Sequence, residues 1–256
     1  MPPILYQSSF RYLKRHPWQF GLAVIGVALG VTIVLSIDLT NASAQRSMEL
    51  AVQSVSGRST HQIISDREYL PEQTYRELKQ KLAFRKVAPV LEGYVVLPEK
   101  PDQVFQLLGI DPFAEAPFRP YLQDLGGGNN GNLAAFLTEP NTVVLSYDLA
   151  DQLGIQIGDF FEVEIGGLPN KLQLIAFLKI DDSFARQALS KLMIVDISTA
   201  QELLQQKGNL SRIDLILVGD DEENKQQIEK LNGALPIGAR AESSQTRLES
   251  ADKMTR

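Results

Sequence analysis

Residues that could carry catalytic chemistry are few in this chain and lie far apart. Its 256 residues include two histidines, His16 and His61, and no cysteine. Disulfides, thiolate catalysis and zinc–thiolate sites are therefore excluded. We interpret His16 as an interfacial charge and His61 as a surface residue of a strand. Two histidines this far apart support neither a metal site nor a Ser-His-Asp triad.

Two acidic runs are the other candidates for metal or acid–base chemistry. They are Asp181-Asp182 and residues 220–223, which are Asp-Asp-Glu-Glu. Carboxylates of this kind can bind a hard cation or transfer protons. Both runs follow predicted strands in turn-like positions, so solvated turns explain them better. The sequence predicts no enzymatic activity, no cofactor and no metal site.

The three glycines at 126–128 could cradle a phosphate, but the surrounding pattern does not fit. No Lys-Ser/Thr follows them and no strand leads directly into them. They belong to the stretch 111–141, which contains four prolines and a run of Gly and Asn. This composition predicts a surface loop, and we expect a variable subdomain or a long irregular excursion.

The element on which the rest of the chain depends is an uncharged run from Trp18 to Ile37. Its polar side chains are Gln19, Thr32, Ser36 and the indole N–H. Twenty helical residues span about 30 Å, the thickness of the hydrocarbon core of a bilayer. A soluble helix is rarely apolar on every face. We predict one transmembrane helix over 18–37, and the mean hydropathy of -0.09 indicates a water-soluble body after it.

Basic residues beside this span predict its orientation. Three basic residues, Arg11, Lys14 and Arg15, precede the span, and the twenty residues after it contain one basic residue, Arg46. The positive-inside rule then places residues 1–17 in the cytoplasm or at the interface, and the body outside the cytoplasm.

A cleaved signal peptide is the alternative for the same run. Ala42-Ser43-Ala44 matches the small-x-small cleavage pattern. The apolar run, however, exceeds the usual length of roughly 7–15 residues in a signal peptide. Retention as a membrane anchor is therefore the preferred interpretation.

Two further features concern the helix itself. Gly26 and Gly30 form a GxxxG pair, which lets a second helix approach closely. Apolar residues at 48, 51, 52 and 55 repeat at helical spacing, and Gly57 is a natural stop. We predict that residues 38–57 continue the span as a stalk helix.

The body, residues 58–248, alternates between strands and short helices and is predicted to be α+β. Its hairpin after 160–165 is expected to turn over 166–170, and Ser198 is expected to cap a helix. Residues 249–256 read as the start of a second stalk helix. The predicted strands are 61–66, 87–98, 103–111, 142–146, 160–165, 171–180, 191–197, 211–220 and 235–242; the predicted helices are 71–82, 147–154, 198–208 and 222–233.

Several stretches together resemble the FtsX/MacB-type ABC transporter permeases. They are the basic flank with its span and stalk, GIDPFAE at 109–115, TVVLSYDLADQLGIQIGDFFEVEIGG at 142–167, DISTAQELLQQKGNLSRIDLIL at 196–217 and ESADKMTR at 249–256. The resemblance implies a mixed α/β periplasmic core and a cytoplasmic ATPase subunit as partner. It also implies contact with other permease spans or with a second permease copy in the lipid bilayer. The later spans of such permeases are absent here, so we expect a fragment or a truncated copy.

On this resemblance we expect a permease component of the plasma (inner) membrane. It would transmit ATP-driven motion to its periplasmic domain during export or extraction of lipoprotein, lipid or peptide. The alternative is a single-pass, membrane-anchored extracytoplasmic binding or scaffold protein. Nucleic-acid binding is not expected, because the net charge is -6 and Lys and Arg are scattered.

Overall fold

The computed structural model describes residues 17–56, 58–82, 84–122, 130–178, 186–187, 189–219 and 221–244. It divides into two compact units, Met1–Leu50 and Ala51–Arg256. The predicted interfacial segment with His16, the pair Asp181-Asp182 and the predicted second stalk helix lie outside the described residues.

A single helix dominates the first unit. Helix α1 runs from Pro17 to Ser56 over 40 residues. It begins at a proline, which is favoured in the first turn, and its interior contains no other proline. The helix continues beyond the predicted span to Ser56, and the role of residues 38–57 as a stalk stays a prediction.

The second unit is built on one nine-stranded sheet with the order β11-β1-β10-β3-β4-β8-β5-β7-β6, and β2 and β9 form a separate pair. The strands are β1 (His61–Ser65), β2 (Leu70–Pro71), β3 (Val87–Leu97), β4 (Lys100–Ile110), β5 (Thr142–Ser146), β6 (Phe160–Ile165), β7 (Leu168–Leu178), β8 (Leu192–Asp196), β9 (Asn209–Leu210), β10 (Arg212–Leu215) and β11 (Ala239–Ser243). The helices are α2 (Glu72–Gln80), α3 (Pro112–Glu115), α4 (Asn130–Thr138), α5 (Tyr147–Leu153), α6 (Ile197–Leu203) and α7 (Asp221–Ala234), with a 3-10 turn at Pro120–Leu122. Strands β4 and β8 are parallel, as are β5 and β7, and the other pairs are antiparallel. The predicted α+β class is confirmed.

Strand β3 divides the sheet into two parts. One edge of β3 pairs with β4, and the opposite edge pairs first with β10, at 87–90, and then with β6, at Val96 opposite Glu164. Strands β3-β4-β8-β5-β7-β6 therefore close into a six-stranded ring. Strands β10, β1 and β11 leave it as a three-stranded wing.

Each part has its own apolar core. The core of the ring strands includes Phe105, Leu145 and Val195, and residues of α5 and α6 pack against it. Helix α6 approaches β4 so closely that a Cβ at Gly109 would clash with Ala200. On the wing, α2 and α7 pack on β1 and β10 through a cluster of buried residues. Its members include Ile63, Leu78, Ile213 and Leu231.

The structure corrects several predicted boundaries. The β6–β7 hairpin turns over Gly166 and Gly167 alone, both at positive φ, so residues 168–170 belong to β7. Two glycines at positive φ match the right-handed twist of a two-residue hairpin, which is why the turn is tight. Strand β4 likewise begins at Lys100 rather than at 103. The cap of α6 is Asp196, which accepts a hydrogen bond from the Ser198 N–H at 2.9 Å.

The prediction of a surface loop over 111–141 is wrong for much of that stretch. It contains α3, the 3-10 turn and α4, and several of its side chains are buried. Asp111 caps α3 by accepting the Phe113 N–H, so proline at the first helical position begins a turn instead of breaking one. The stretch supplies Phe118, Leu122 and Phe136 to the core.

Candidate functional site

Helix α1 contains the one segment of the described residues that is long and apolar enough to cross a membrane, Val24–Ser43, with a mean hydropathy of 1.9. It overlaps the predicted span, and all its side chains are exposed. Thr32 and Thr40 donate their hydroxyls to backbone carbonyls four residues earlier, both at 2.7 Å. These bonds give the two hydroxyl groups acceptors that the hydrocarbon of a bilayer could not supply.

Gly26 and Gly30 lie on this exposed helix. A Cβ built at either position would meet no atom of the described residues within 4 Å, apart from the nearby backbone of the helix. Their surface is thus open to another helix. Their role in helix packing stays a prediction.

In the second unit, the segment before β1 meets the segment after β11. The lead-in segment, residues 58–60, joins β1, and Ser244 follows β11 directly. Ser244 donates its N–H to the Thr60 carbonyl at 3.0 Å, and the Ser59 and Ser244 hydroxyls lie 3.1 Å apart. The Thr60 N–H donates to the Leu215 carbonyl, and the Arg58 N–H donates to the Phe118 carbonyl. The two ends of the domain are therefore tied to each other and to β10.

A chain of five alternating charges, here called the charged network, lies beside this place. Arg119 pairs with Glu115 of α3 and, at 3.2 Å, with Asp214 of β10. Asp214 also pairs with Arg212 at 2.9 Å, and Arg212 pairs with Glu92 of β3. Glu115, Arg119 and Asp214 have no exposed surface. The network joins α3, the wing and the ring.

Burial and pairing act against each other on these groups. Burial raises the pKa of Glu115 to about 7, against the lowering effect of the Arg119 charge. Burial disfavours the charge of Arg119, but the Glu115 and Asp214 carboxylates more than compensate and raise its pKa. Burial also raises the pKa of Tyr121, beside Arg119, to about 12. Glu115 is therefore the member of the network whose charge can change near neutral pH.

The other chemical candidates do not come together. His61 is half-buried rather than a surface residue, its Nδ1 lies 3.0 Å from the Thr60 hydroxyl, and burial lowers its pKa. Asp221 to Glu223 begin helix α7. No group of three or more acidic or histidine side chains suited to a metal ion occurs within the described part of the chain.

Sequence reasoning missed the charged network. Its one visible signal is the strand sequence RIDLIL at 212–217, where Arg and Asp interrupt an apolar run. A charged side chain in a strand either faces water or is paired with an opposite charge. All four residues of β10 are buried, so the second case applies here. The partners Glu115 and Arg119 lie four residues apart within a stretch rich in proline and glycine, where no helical pattern stands out.

Comparison with known proteins gives matches that cover most of the chain. A model of the MacB-like periplasmic core domain family matches residues 20–231. An uncharacterised ABC transporter permease protein of Mycobacterium tuberculosis is 38% identical over 251 residues, which are 98% of this chain. The chain spans 28% of the length of that relative.

Two solved structures are similar at lower identity. The periplasmic region of MacB from Actinobacillus actinomycetemcomitans gives a TM-score of 0.47 at 13% identity, over 78% of this chain and 95% of that one. The extracellular domain of YknZ, a noncanonic ABC-type transporter from Gram-positive bacteria, gives 0.46 at 14% identity, over 71% and 98%. The match over residues 20–231 is the one that decides the family.

Proposed function

Because this chain belongs to the MacB-like periplasmic core domain family, we propose that it supplies one membrane span and the extracytoplasmic domain of an ABC transporter permease. The similarity to a mycobacterial permease over 98% of the chain supports this proposal. The protein lies in the plasma (inner) membrane, with its N terminus in the cytoplasm and residues 58–248 outside it.

The pairing of the two ends of the domain carries the proposal. The lead-in segment and Ser244 are held within hydrogen-bond distance, so the chain reaches and leaves the domain at one point. This arrangement allows the domain to be inserted between two membrane segments.

In the proposed mechanism this chain transmits movement and carries out no chemistry. A cytoplasmic ATPase subunit hydrolyses ATP and shifts the permease spans. Helix α1, whose 40 residues have a length of about 60 Å, conveys that shift to β1 without an intervening proline. The domain then acts on a lipoprotein, lipid or peptide in export or extraction.

Gly26 and Gly30 are proposed to seat another permease span or the equivalent helix of a second permease copy. The absence of a Cβ at both positions lets two backbones approach closely within the bilayer. Replacing both with leucine should weaken this association while leaving insertion intact.

The test is to remove the domain. In the native protein, residues 61–243 are replaced by a short Gly-Ser linker, which can join Thr60 to Ser244 because their backbones already touch. We expect the shortened protein to insert and to co-purify with its ATPase, but to lose ATP-dependent transport. A single-pass scaffold would co-purify with no ATPase in either form. Retained transport would contradict the proposal.

The absence of cysteine allows a matched test of orientation. Ser9→Cys places one thiol before the span, and Glu229→Cys places one on an exposed position of α7. A membrane-impermeant maleimide should label the second variant in intact cells and the first only after lysis. The reverse pattern would overturn the proposed topology.

A further inference from the structure

Glu115 is a fully buried acid that forms an ion pair with a single neighbour. Its Oε2 pairs with Arg119, and its Oε1 has no hydrogen-bond partner within the described residues. The charged groups around it are Arg119 of its own segment, Asp214 and Arg212 of β10, and Tyr121 of the 3-10 turn. A buried, unpaired oxygen is costly when charged and can accept a proton.

The pairing within the network favours a proton on Glu115. The Glu92 side chain is 27% exposed, so its charge can be hydrated, whereas Glu115 and Asp214 are fully buried. Asp214 and Glu92 each pair with an arginine of β10, and Asp214 contacts Arg119 as well. Glu115 pairs with Arg119 alone, so of the two fully buried carboxylates it is the one that a proton neutralises with the smaller loss of pairing.

The segment that carries Glu115 also holds the lead-in segment. Phe118 lies three residues after Glu115 and is fully buried against Ala88, Ala114 and Ile216. Its carbonyl accepts the Arg58 N–H at 2.8 Å. Any movement that brings the Glu115 carboxylate to water would displace Phe118 and break this bond.

We propose that Glu115 is a proton-dependent latch between residues 112–119 and the lead-in segment. With a proton on Glu115 the segment stays closed over β10 and holds Arg58. Loss of the proton favours an open form in which the carboxylate is hydrated and Arg58 is released. The latch is a property of the domain itself, and under the proposed function it would respond to pH outside the cytoplasm.

The direction of the pH effect follows from the difference in proton binding between the closed and open forms. The closed form binds the proton with a pKa of about 7, and in the hydrated open form Glu115 should titrate near its ordinary value of 4.5. Between these values the closed form holds more protons than the open form. The equilibrium constant for opening therefore rises up to about tenfold for each pH unit.

Hydrogen–deuterium exchange at the Arg58 amide tests the latch in the whole chain, reconstituted in lipid nanodiscs. After correction for intrinsic exchange, we expect its protection to fall up to about tenfold per pH unit between about pH 5 and 7. In Glu115→Gln protection should not change with pH. Glu139→Gln, at an exposed position outside the network, is the matched control and should behave as the wild type.

The wild-type protein carries its own control, which holds even if Glu115→Gln does not fold. The Arg58 amide should exchange through the local opening and be much less protected than the Leu145 amide of the ring, which exchanges only when the whole domain unfolds. Equal protection at Arg58 and Leu145 throughout the pH range would indicate loosening of the whole domain and would overturn the latch. A flat profile at Arg58, or the same slope in wild type and Glu115→Gln, would also overturn it.

Discussion

The ring and the wing bury different kinds of polar side chain. In the ring strands, the described buried polar residues Thr142, Ser146 and Asp196 lie at strand ends, and the last two cap α5 and α6. In the wing, Arg212 begins β10 and Asp214 lies within the strand, and the two pair with each other. The ring is therefore held by hydrocarbon with polar groups at its margins, whereas the wing carries paired charges inside.

This difference indicates two mechanical roles. A hydrocarbon core is non-directional and tolerates small shifts, whereas a buried ion-pair chain is satisfied only in one geometry. The charged network lies where the chain enters and leaves the domain. It fixes the wing to α3 at the point that the proposed movement would reach first.

The largest expected effect comes from removing Arg119, which joins the two fully buried carboxylates of the network. Arg119→Met leaves Glu115 without its cation, and we expect a loss of about 3–5 kcal/mol in the free energy of unfolding. Far-UV circular dichroism in denaturant measures it, since the only tryptophan, Trp18, lies in α1 and cannot report on the domain. The double variant Glu115→Gln/Arg119→Met should lose less, because fewer charges are stranded. An equal or larger loss in the double variant would show that packing of Arg119, not its charge, matters.

The matching change in the ring is Leu145→Ala. Leu145 has no exposed surface in β5, and a cavity at such a site costs about 3 kcal/mol. The same denaturation experiment measures the loss. It should be equal at pH 5.5 and pH 7, because hydrocarbon does not titrate. A pH-dependent loss would mean that the ring and the charged network are energetically coupled and that the ring and the wing do not act as separate parts.

A third prediction concerns pH alone. The pKa of Glu115 is raised in the folded domain, so its contribution to stability is greatest at low pH and declines as pH rises toward 7. Between pH 5.5 and 7 this amounts to about 2 kcal/mol. Other carboxylates, such as Glu72, have a lowered pKa and act in the opposite direction. The measured quantity is therefore the difference between wild type and Glu115→Gln over that range.

The same contrast explains what sequence could predict. A short continuous apolar run predicted the ring strand at 142–146, which is buried on both faces. Alternating apolar residues predicted the strand at 160–165, because burial of one face leaves a period-two pattern. The closure of the ring through Val96 and Glu164 depends on a single long-range pair that leaves no such pattern. Neither could the sequence reveal that β3 has two neighbours along one edge.

The sequence predicted the membrane span of α1 but did not predict the charged network. The span followed from a run of uncharged residues, which is a local property. The charged network joins Glu92, Glu115, Arg119 and the β10 pair across more than one hundred positions, and only the fold brings them together. In 111–141 the proline and glycine content favoured a loop and concealed the one buried turn that supplies Glu115.

The smallest expected loss of stability comes from the residues that cap α5 and α6 at the ends of ring strands. Asp196, not the predicted Ser198, caps α6, because its carboxylate accepts both the N–H and the hydroxyl of Ser198. Asp196→Ala should cost about 1 kcal/mol in denaturation, as should Ser146→Ala at the cap of α5. Ser198→Ala should cost less than either, since the backbone bond to Asp196 survives. If Ser198→Ala were the costlier change, the hydroxyl rather than the carboxylate would be the cap, and the sequence-based prediction would stand.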